Sequence, residues 1–269
     1  YSAVAGDSGP NVSSAKRKLV SMYTWIVNIY DPCHNLNLFM KDIGALFKTD
    51  VLSTVSGLSA YFGHSNYGTA QLDEARKEKK ISANIKSASE TRFSTAHIQA
   101  VGVFECMPAI RLCVEKKSIK FTKKTKKFEA YVSGGNTHYL FMSKLSAFIA
   151  LTTAPANAIV ALEGQYIDCA DVFYAWICIA WSLEHQFVDT NAGLSEYRSA
   201  IVRLYNDRFN QMMSGSSHRI FLFAYFLHPS KSCCIFCTHI ANDTLCRIPS
   251  SWRVATEDAC SSRPSSYEG

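Results

Sequence analysis

Charge is sparse in this chain. Asp, Glu, Lys and Arg make up 19% of its residues and hydrophobic residues 48%. That balance excludes a globally disordered polymer and leaves enough apolar surface to bury a core. Proline and glycine are few, seven and thirteen among 269 residues, which excludes collagen-like and Pro/Gly-rich low-complexity architectures. No uninterrupted apolar run reaches the roughly 18–20 residues that cross a bilayer. The most apolar stretch, Val172 to Leu183, is bracketed by Asp171 and Glu184 and reads as a buried helix. No basic stretch leads into an apolar run near Tyr1, so no secretory signal is read and no membrane partner is expected. No internal repeat is evident. Cysteine, by contrast, is plentiful. The ten cysteines are scattered, and Cys106, Cys113, Cys169 and Cys178 fall in apolar helical patterns. A secreted disulfide framework is small and rich in loops, so reduced, buried thiols in an intracellular protein are expected instead. The formal net charge of +6 is a mild excess, compatible with a polyanionic partner.

Residues 1–50 carry α/β punctuation. Ala3-Val4-Ala5-Gly6 reads as a short buried strand running into Asp7 and the turn Ser8-Gly9-Pro10-Asn11. A helix is expected over Ser13–Tyr23 and a β-branched, aromatic strand over Trp25–Tyr30. Another helix is expected from about His34 to Phe47. Beyond residue 50 the strand signals mostly stop. Helices are expected over Leu52–Phe62, Gln71–Lys80, Ala96–Glu115, Leu140–Leu151, Ala156–Glu163, Ala170–Phe187 and Leu194–Met213. In the last of these, Leu194, Tyr197, Ile201, Leu204, Tyr205 and Met212 recur at spacings of three and four, the mark of one core face. Between Lys116 and Lys127 stand seven lysines and no acid, with Phe121 and Phe128 interleaved, which reads as a mobile basic loop. Residues 230–269 are rich in Ser and Cys, lack helical periodicity and read as a low-order tail.

Several residues carry chemistry on one reading and none on another. Gly6-Asp7-Ser8-Gly9-Pro10 is similar to the nucleophile segment of trypsin-like proteases. The nucleophile of that family lies late in a strand-rich chain, whereas Ser8 is the eighth residue and helices follow. Asp7 serves either as a metal-binding acid at a strand end or as the cap of the following turn and helix. His34 either flanks such a site or satisfies a carbonyl at a helix start. Arg92 and Phe93 are either a DNA-contacting pair, with the ring stacking on an unpaired base, or a surface Arg and a core Phe. The lysine run is either a solvated loop or a phosphate-contacting one. Cys233, Cys234, Cys237, His239 and Cys246 hold one Cys-x-x-Cys and no clear second pair, too little for a zinc site.

Taken in order, these segments resemble the transposases of the hAT superfamily over most of residues 1–230. Val4-Ala5-Gly6-Asp7-Ser8 with Asn11 resembles the family's strand, acid and Asn segment. Asp31-x-x-His34, continued by Leu36-Asn37-Leu38 and Lys41-Asp42-Ile43, resembles its Cys-or-Asp, two-residue, His motif. Glu90-Thr91-Arg92-Phe93-Ser94-Thr95 is similar to the Thr-Arg-Trp segment of the family's helical insertion, with Phe in place of Trp. Leu162-Glu163-Gly164 with Asp171-Val172-Phe173 resembles a later insertion segment, and Phe226-Leu227-His228-Pro229 the Leu-Asp-Pro stretch that follows.

The resemblance implies a mixed α/β, mostly helical fold. A partial ribonuclease-H-like α/β unit (1–50) would precede a large all-α insertion domain (51–229), with the tail (230–269) outside the match. It also implies metal-dependent DNA cleavage and strand transfer. The site residues would be Asp7 as the second acid of an Asp-Asp-Glu triad and as metal ligand, with Asp31 and His34 beside it. Mg²⁺ or Mn²⁺ would be the cofactor of the intact family, and none is expected on this chain. DNA would be a weak, non-specific partner held by Arg92, Phe93, Lys116, Lys117, Lys120, Lys123, Lys124, Lys126 and Lys127. The location implied is nuclear. The first Asp, the catalytic Glu and the family's dimerisation region are not matched, so the chain reads as an internal fragment or relic that does not cleave DNA. The alternatives left open are a domesticated DNA- or protein-binding module and an unrelated helical interaction protein.

Overall fold

The structure is a computed structural model that describes residues 3–6, 9–86, 94–119, 121, 126–188, 192–213, 219–229 and 231. The protein is mostly helical with one small parallel sheet. Its elements run β1 (Ala3–Gly6), α1 (Pro10–Met22), β2 (Val27–Tyr30), α2 (Pro32–Leu46), α3 (Ser53–His64), α4 (Asn66–Lys79), α5 (Ser94–Glu115), α6 (Glu129–Val132), α7 (Gly135–Leu162), α8 (Cys169–Val188), α9 (Ala192–Ser195), α10 (Arg198–Met213) and α11 (Arg219–Leu227). A π-helical turn, Lys48–Leu52, joins α2 to α3. The mixed, mainly helical class read from the sequence is therefore present.

The chain divides into two compact units that are not consecutive. The first comprises Tyr1–Phe39, Ala158–Asp189 and Ser195–Gly269; the second comprises Met40–Asn157 and Thr190–Leu194. The boundary expected near residue 50 thus falls inside the second unit.

The sheet of the first unit has two strands. β1 and β2 pair in parallel, Ala3 opposite Val27 and Gly6 opposite Tyr30, with α1 as the crossover that parallel pairing demands. The expectation of a buried first strand is not met. Ala3 and Ala5 are exposed and only β2 covers an edge of β1 among the described residues, so it lacks the double-sided cover of a core strand. An aromatic cluster fills the core of this unit. Trp176 on α8 lies 5.9 Å from the Phe39 ring and 5.4 Å from that of Tyr205, and the Tyr205 hydroxyl donates to the Trp176 carbonyl at 2.8 Å. Burial drives the Tyr205 phenol far above its ordinary pKa, so that it remains a donor. Phe173 and Tyr225 meet at 5.0 Å where α11 packs on α8. Asp168 caps α8 by accepting from Ala170 N and Asp171 N.

In the second unit α3, α4, α5 and the turn Lys126–Phe128 pack together. Phe47 and Phe148 make an edge contact at 5.5 Å. The strap 81–86 runs extended beside α5, where Ala83 O accepts from the Cys106 thiol and Ser82 O from Arg76. Burial raises the Cys106 and Cys113 thiols above their usual range, which keeps them protonated and unreactive. Gly134 and Gly135, with φ of 102° and 80°, make the turn into α7 that a side chain would strain.

Several segments differ from expectation: the helix expected over Leu194–Met213 is divided into α9 and α10, and α6 and α11 stand where no helix is expected. Leu140–Leu151 and Ala156–Glu163 are a single helix, α7, which continues through Pro155. Pro155 offers no N–H to the preceding turn, where the Thr152 and Thr153 hydroxyls donate to Phe148 O and Ile149 O. Leu151 and Ile159 are both buried, so packing on either side of the proline outweighs its local cost. A further difference is Phe128, read as part of the basic loop. It is 5% exposed and seated against α3.

Both α5 and α7 are long and apolar enough by length and composition to cross a membrane. Each buries half of its apolar window inside the protein.

Candidate functional site at the strand ends

Parallel strands present their carboxyl ends side by side, and in open α/β sheets chemistry gathers there. Here the ladder ends at Gly6 and Tyr30, and Asp31 N donates one further bond to Gly6 O at 3.3 Å. Asp7 follows Gly6 in sequence and lies outside the described residues.

Asp31 is a helix cap. Its Oδ1 accepts from Cys33 N at 2.9 Å and His34 N at 3.2 Å, and Pro32 opens α2 where no N–H is needed. His34 lies in the first turn of α2, half-buried, with its backbone N–H on that carboxylate. Behind it Asn35 is buried and its amide donates to Met212 Sδ at 3.6 Å.

One residue escaped sequence reasoning. Lys16 is 5% exposed, and its ammonium donates to Gly6 O at 3.0 Å and to Ile29 O at 3.3 Å, 5.6 Å from the centre of the Tyr30 ring. A buried lysine held by carbonyls brings fixed positive charge to the end of the ladder. The signal was available. Lys16 stands one helical turn after Val12 and one before Leu19 and Val20, so it falls on the stripe of α1 that faces the sheet.

The Asp31 carboxylate already accepts two N–H bonds, and among the described residues no three His, Cys, Asp or Glu side chains come together to hold a metal. Two-metal phosphoryl transfer needs such a cluster.

The basic residues lie in the second unit. Lys116 pairs with Glu78 on the surface, a contact of small energetic weight. Lys117 holds the C-terminal end of α5 with φ of 55°, its N–H bonding Val114 O at 3.0 Å while Ser118 N reaches Cys113 O at 3.0 Å. Lys126 and Lys127 are exposed, with the Lys127 ammonium 5.2 Å over the ring of Phe128. Lys120, Lys123, Lys124, Arg92 and Phe93 lie outside the described residues, as do Cys233, Cys234, Cys237, His239 and Cys246. A shallow groove along α10, lined by Arg198, Val202, Arg203 and Asp207, contains none of the expected site residues.

Comparison with protein-family models, with curated proteins and with solved structures finds no match to this chain.

Proposed function

We propose that the chain derives from a hAT-type transposase, that it binds DNA weakly through its basic segment, and that by itself it does not cleave DNA. The observation that carries the reading is the strand–helix–strand–helix start. Parallel pairing of β1 with β2, and the bond from Asp31 N to Gly6 O, bring to one end of the sheet two of the segments that carry the resemblance. Such a βαβα start suits a ribonuclease-H-like unit. Within this reading Asp7 is the one acid of three that the sequence matches. The Mg²⁺ or Mn²⁺ of the intact family would have too few carboxylates here, since the first Asp and the catalytic Glu are not matched. The protein would act in the nucleus.

A second reading is a domesticated DNA- or protein-binding module. It is favoured by Lys16, whose fixed charge at the ladder end occupies the neighbourhood that an acidic metal site requires.

Both readings expect no cleavage by this chain, and they share DNA binding where the module's partner is DNA. Exposed lysines make point-charge contacts with phosphate, so affinity should fall steeply with salt and vary little with sequence. The test is a salt titration on labelled duplex, with and without Mg²⁺ or Mn²⁺. It is repeated after changing Lys116, Lys117, Lys120, Lys123, Lys124, Lys126 and Lys127 to Ser. A shallower salt slope in the lysine variant supports the basic-segment assignment, and unaltered binding rejects it. Metal-dependent nicking that Asp7→Ala abolishes would restore the chain to the enzymes.

A further inference from the structure

Helix α8 carries two apolar stripes, with Asp171 and Glu184 on its flanks. Its inner face, Val172, Phe173, Trp176, Ile179, Ala180 and Leu183, is buried. On the opposite face stand Tyr174, Cys178, Trp181, His185 and Val188, separated by four, three, four and three positions, and all five are exposed. Trp181 is 48% and Val188 69% open to solvent. No Asp, Glu, Lys or Arg belongs to this second stripe, and Val172 to Leu183 holds no charged residue at all. A soluble helix ordinarily turns a polar face outward, and an exposed apolar stripe is the kind of surface a partner covers.

We propose that this stripe is the contact between two copies of the chain, with α8 of each packed antiparallel across a two-fold axis at Trp181. The stripe fits itself better than it fits an arbitrary partner. An alternating four-three spacing is the repeat by which helices interdigitate over several turns. The stripe is symmetric about its centre, with two positions on either side of Trp181. A two-fold axis there sets Trp181 against its own copy, Cys178 near His185 of the second copy, and Tyr174 near Val188 of the second copy. That is the self-complementarity an isologous interface requires. No like charges oppose one another within the stripe.

The rings are also held in place beforehand. Trp181 meets His185 edge to face at 4.2 Å, and Tyr174 lies parallel to Tyr225 at 6.4 Å. Fixed side chains lose little further freedom on association.

The area sets the strength. With 150–250 Å² per aromatic side chain, the open parts of the five residues amount to roughly 500 Å² per copy, or about 1,000 Å² in all. That sits at the lower bound of specific interfaces, where association is weak and reversible.

The experiment is sedimentation velocity of the full 269-residue chain over a range on the order of 1–100 µM, where a dimer of this strength forms and dissociates. The weight-average mass should rise from the 29.9 kDa of one copy toward twice that. Trp181→Glu should raise the dissociation constant at least tenfold with an unchanged circular dichroism spectrum. Phe223→Glu, an exposed position on α11, should leave association as it was. Trp181→Cys should be joined to its own copy by a short bis-maleimide, with the link mapped to position 181 on both chains. This last variant decides the question even where a buried charge harms folding. A single-copy mass throughout, a dimer indifferent to Trp181→Glu, or a cross-link mapping elsewhere would each overturn the proposal.

Discussion

The ring of Phe128 fills the space that a side chain on Gly57 would need. A Cβ at Gly57 would overlap Phe128 Cζ and lie 2.7 Å from both Cε atoms. Gly57 is the gap in α3 that admits the ring, and the ring anchors the turn Lys126–Phe128 beside the basic segment.

Gly57→Ala should therefore lower stability by about 1–3 kcal/mol, the cost of overpacking a close-packed contact, although alanine is the better helix former on an open surface. Phe128→Ala should cost about 3–5 kcal/mol, as buried aromatic truncations do. The double variant should lose clearly less than the sum, because the first change harms only while the ring is present. Urea unfolding midpoints of the four proteins check this, and additive losses would separate the two residues.

The lysine with left-handed geometry at the end of α4 offers a gain rather than a loss. Lys80 has φ of 56°, its N–H bonding Lys77 O at 3.2 Å and Ile81 N bonding Arg76 O at 2.9 Å. A side chain there costs roughly 1–2 kcal/mol that glycine escapes, less the extra freedom glycine brings to the unfolded chain. Lys80→Gly should stabilise by about 0.5–1 kcal/mol. Lys77→Gly, three residues earlier and inside the helix, should destabilise by about 1 kcal/mol. Equal effects of one sign in thermal melts would contradict the capping geometry.

What the sequence disclosed follows from the range of the forces involved. Helix periodicity is local, and α2, α5, α8 and α10 were legible in outline from it. The Asp31 cap is also local, written as Asp-Pro before a helical pattern. Phe39 against Trp176, and Tyr205 against the Trp176 carbonyl, join residues far apart in the chain, so the interleaving of the two units left no mark in any window. The helix α7 reads as two pieces in sequence, and burial on both sides of Pro155 holds it as one. Phe128 was hidden for a similar reason. A phenylalanine among lysines looks like a loop residue until the gap at Gly57 is known. Of the candidate site, Asp31, His34, Lys116, Lys117, Lys126 and Lys127 have described positions, and Lys16 was overlooked because lysine is seldom counted among core residues.

His97 carries a pH dependence whose sign is fixed by its surroundings. Its Nδ1 lies 2.8 Å from Thr152 Oγ1, which itself donates to Phe148 O at 2.6 Å, so Nδ1 holds the hydrogen and the neutral ring satisfies the contact. Burial lowers the His97 pKa below the ordinary 6.5. Above 6.5 neither folded nor unfolded chain carries this proton. As pH falls below that value the unfolded chain takes it up first, and stability drops until the folded value is passed. His97→Asn places an amide nitrogen where Nδ1 stood and does not titrate. The variant should lose less stability than the parent between pH 7 and pH 5, read from urea midpoints at each pH (a window chosen to span the ordinary imidazole value). Parallel pH profiles would remove His97 from the account.

Asp31 separates a structural carboxylate from a chemical one. As a cap it supplies Oδ1 to the N–H groups of Cys33 and His34, and an asparagine oxygen can accept the same two bonds. Asp31→Ala should cost about 1 kcal/mol, within the 0.5–2 kcal/mol range of lost caps. Asp31→Asn should recover most of that, losing only the few tenths by which a negative charge favours a helix N-terminus. Because Asp31 N also continues the ladder to Gly6 O, the alanine variant should loosen the strand ends first, seen as faster amide exchange at Asp31 and Cys33 than in the core of α8. If Asn proved as damaging as Ala, the charge would be what matters, and Asp31 would return to consideration as a ligand beside Asp7.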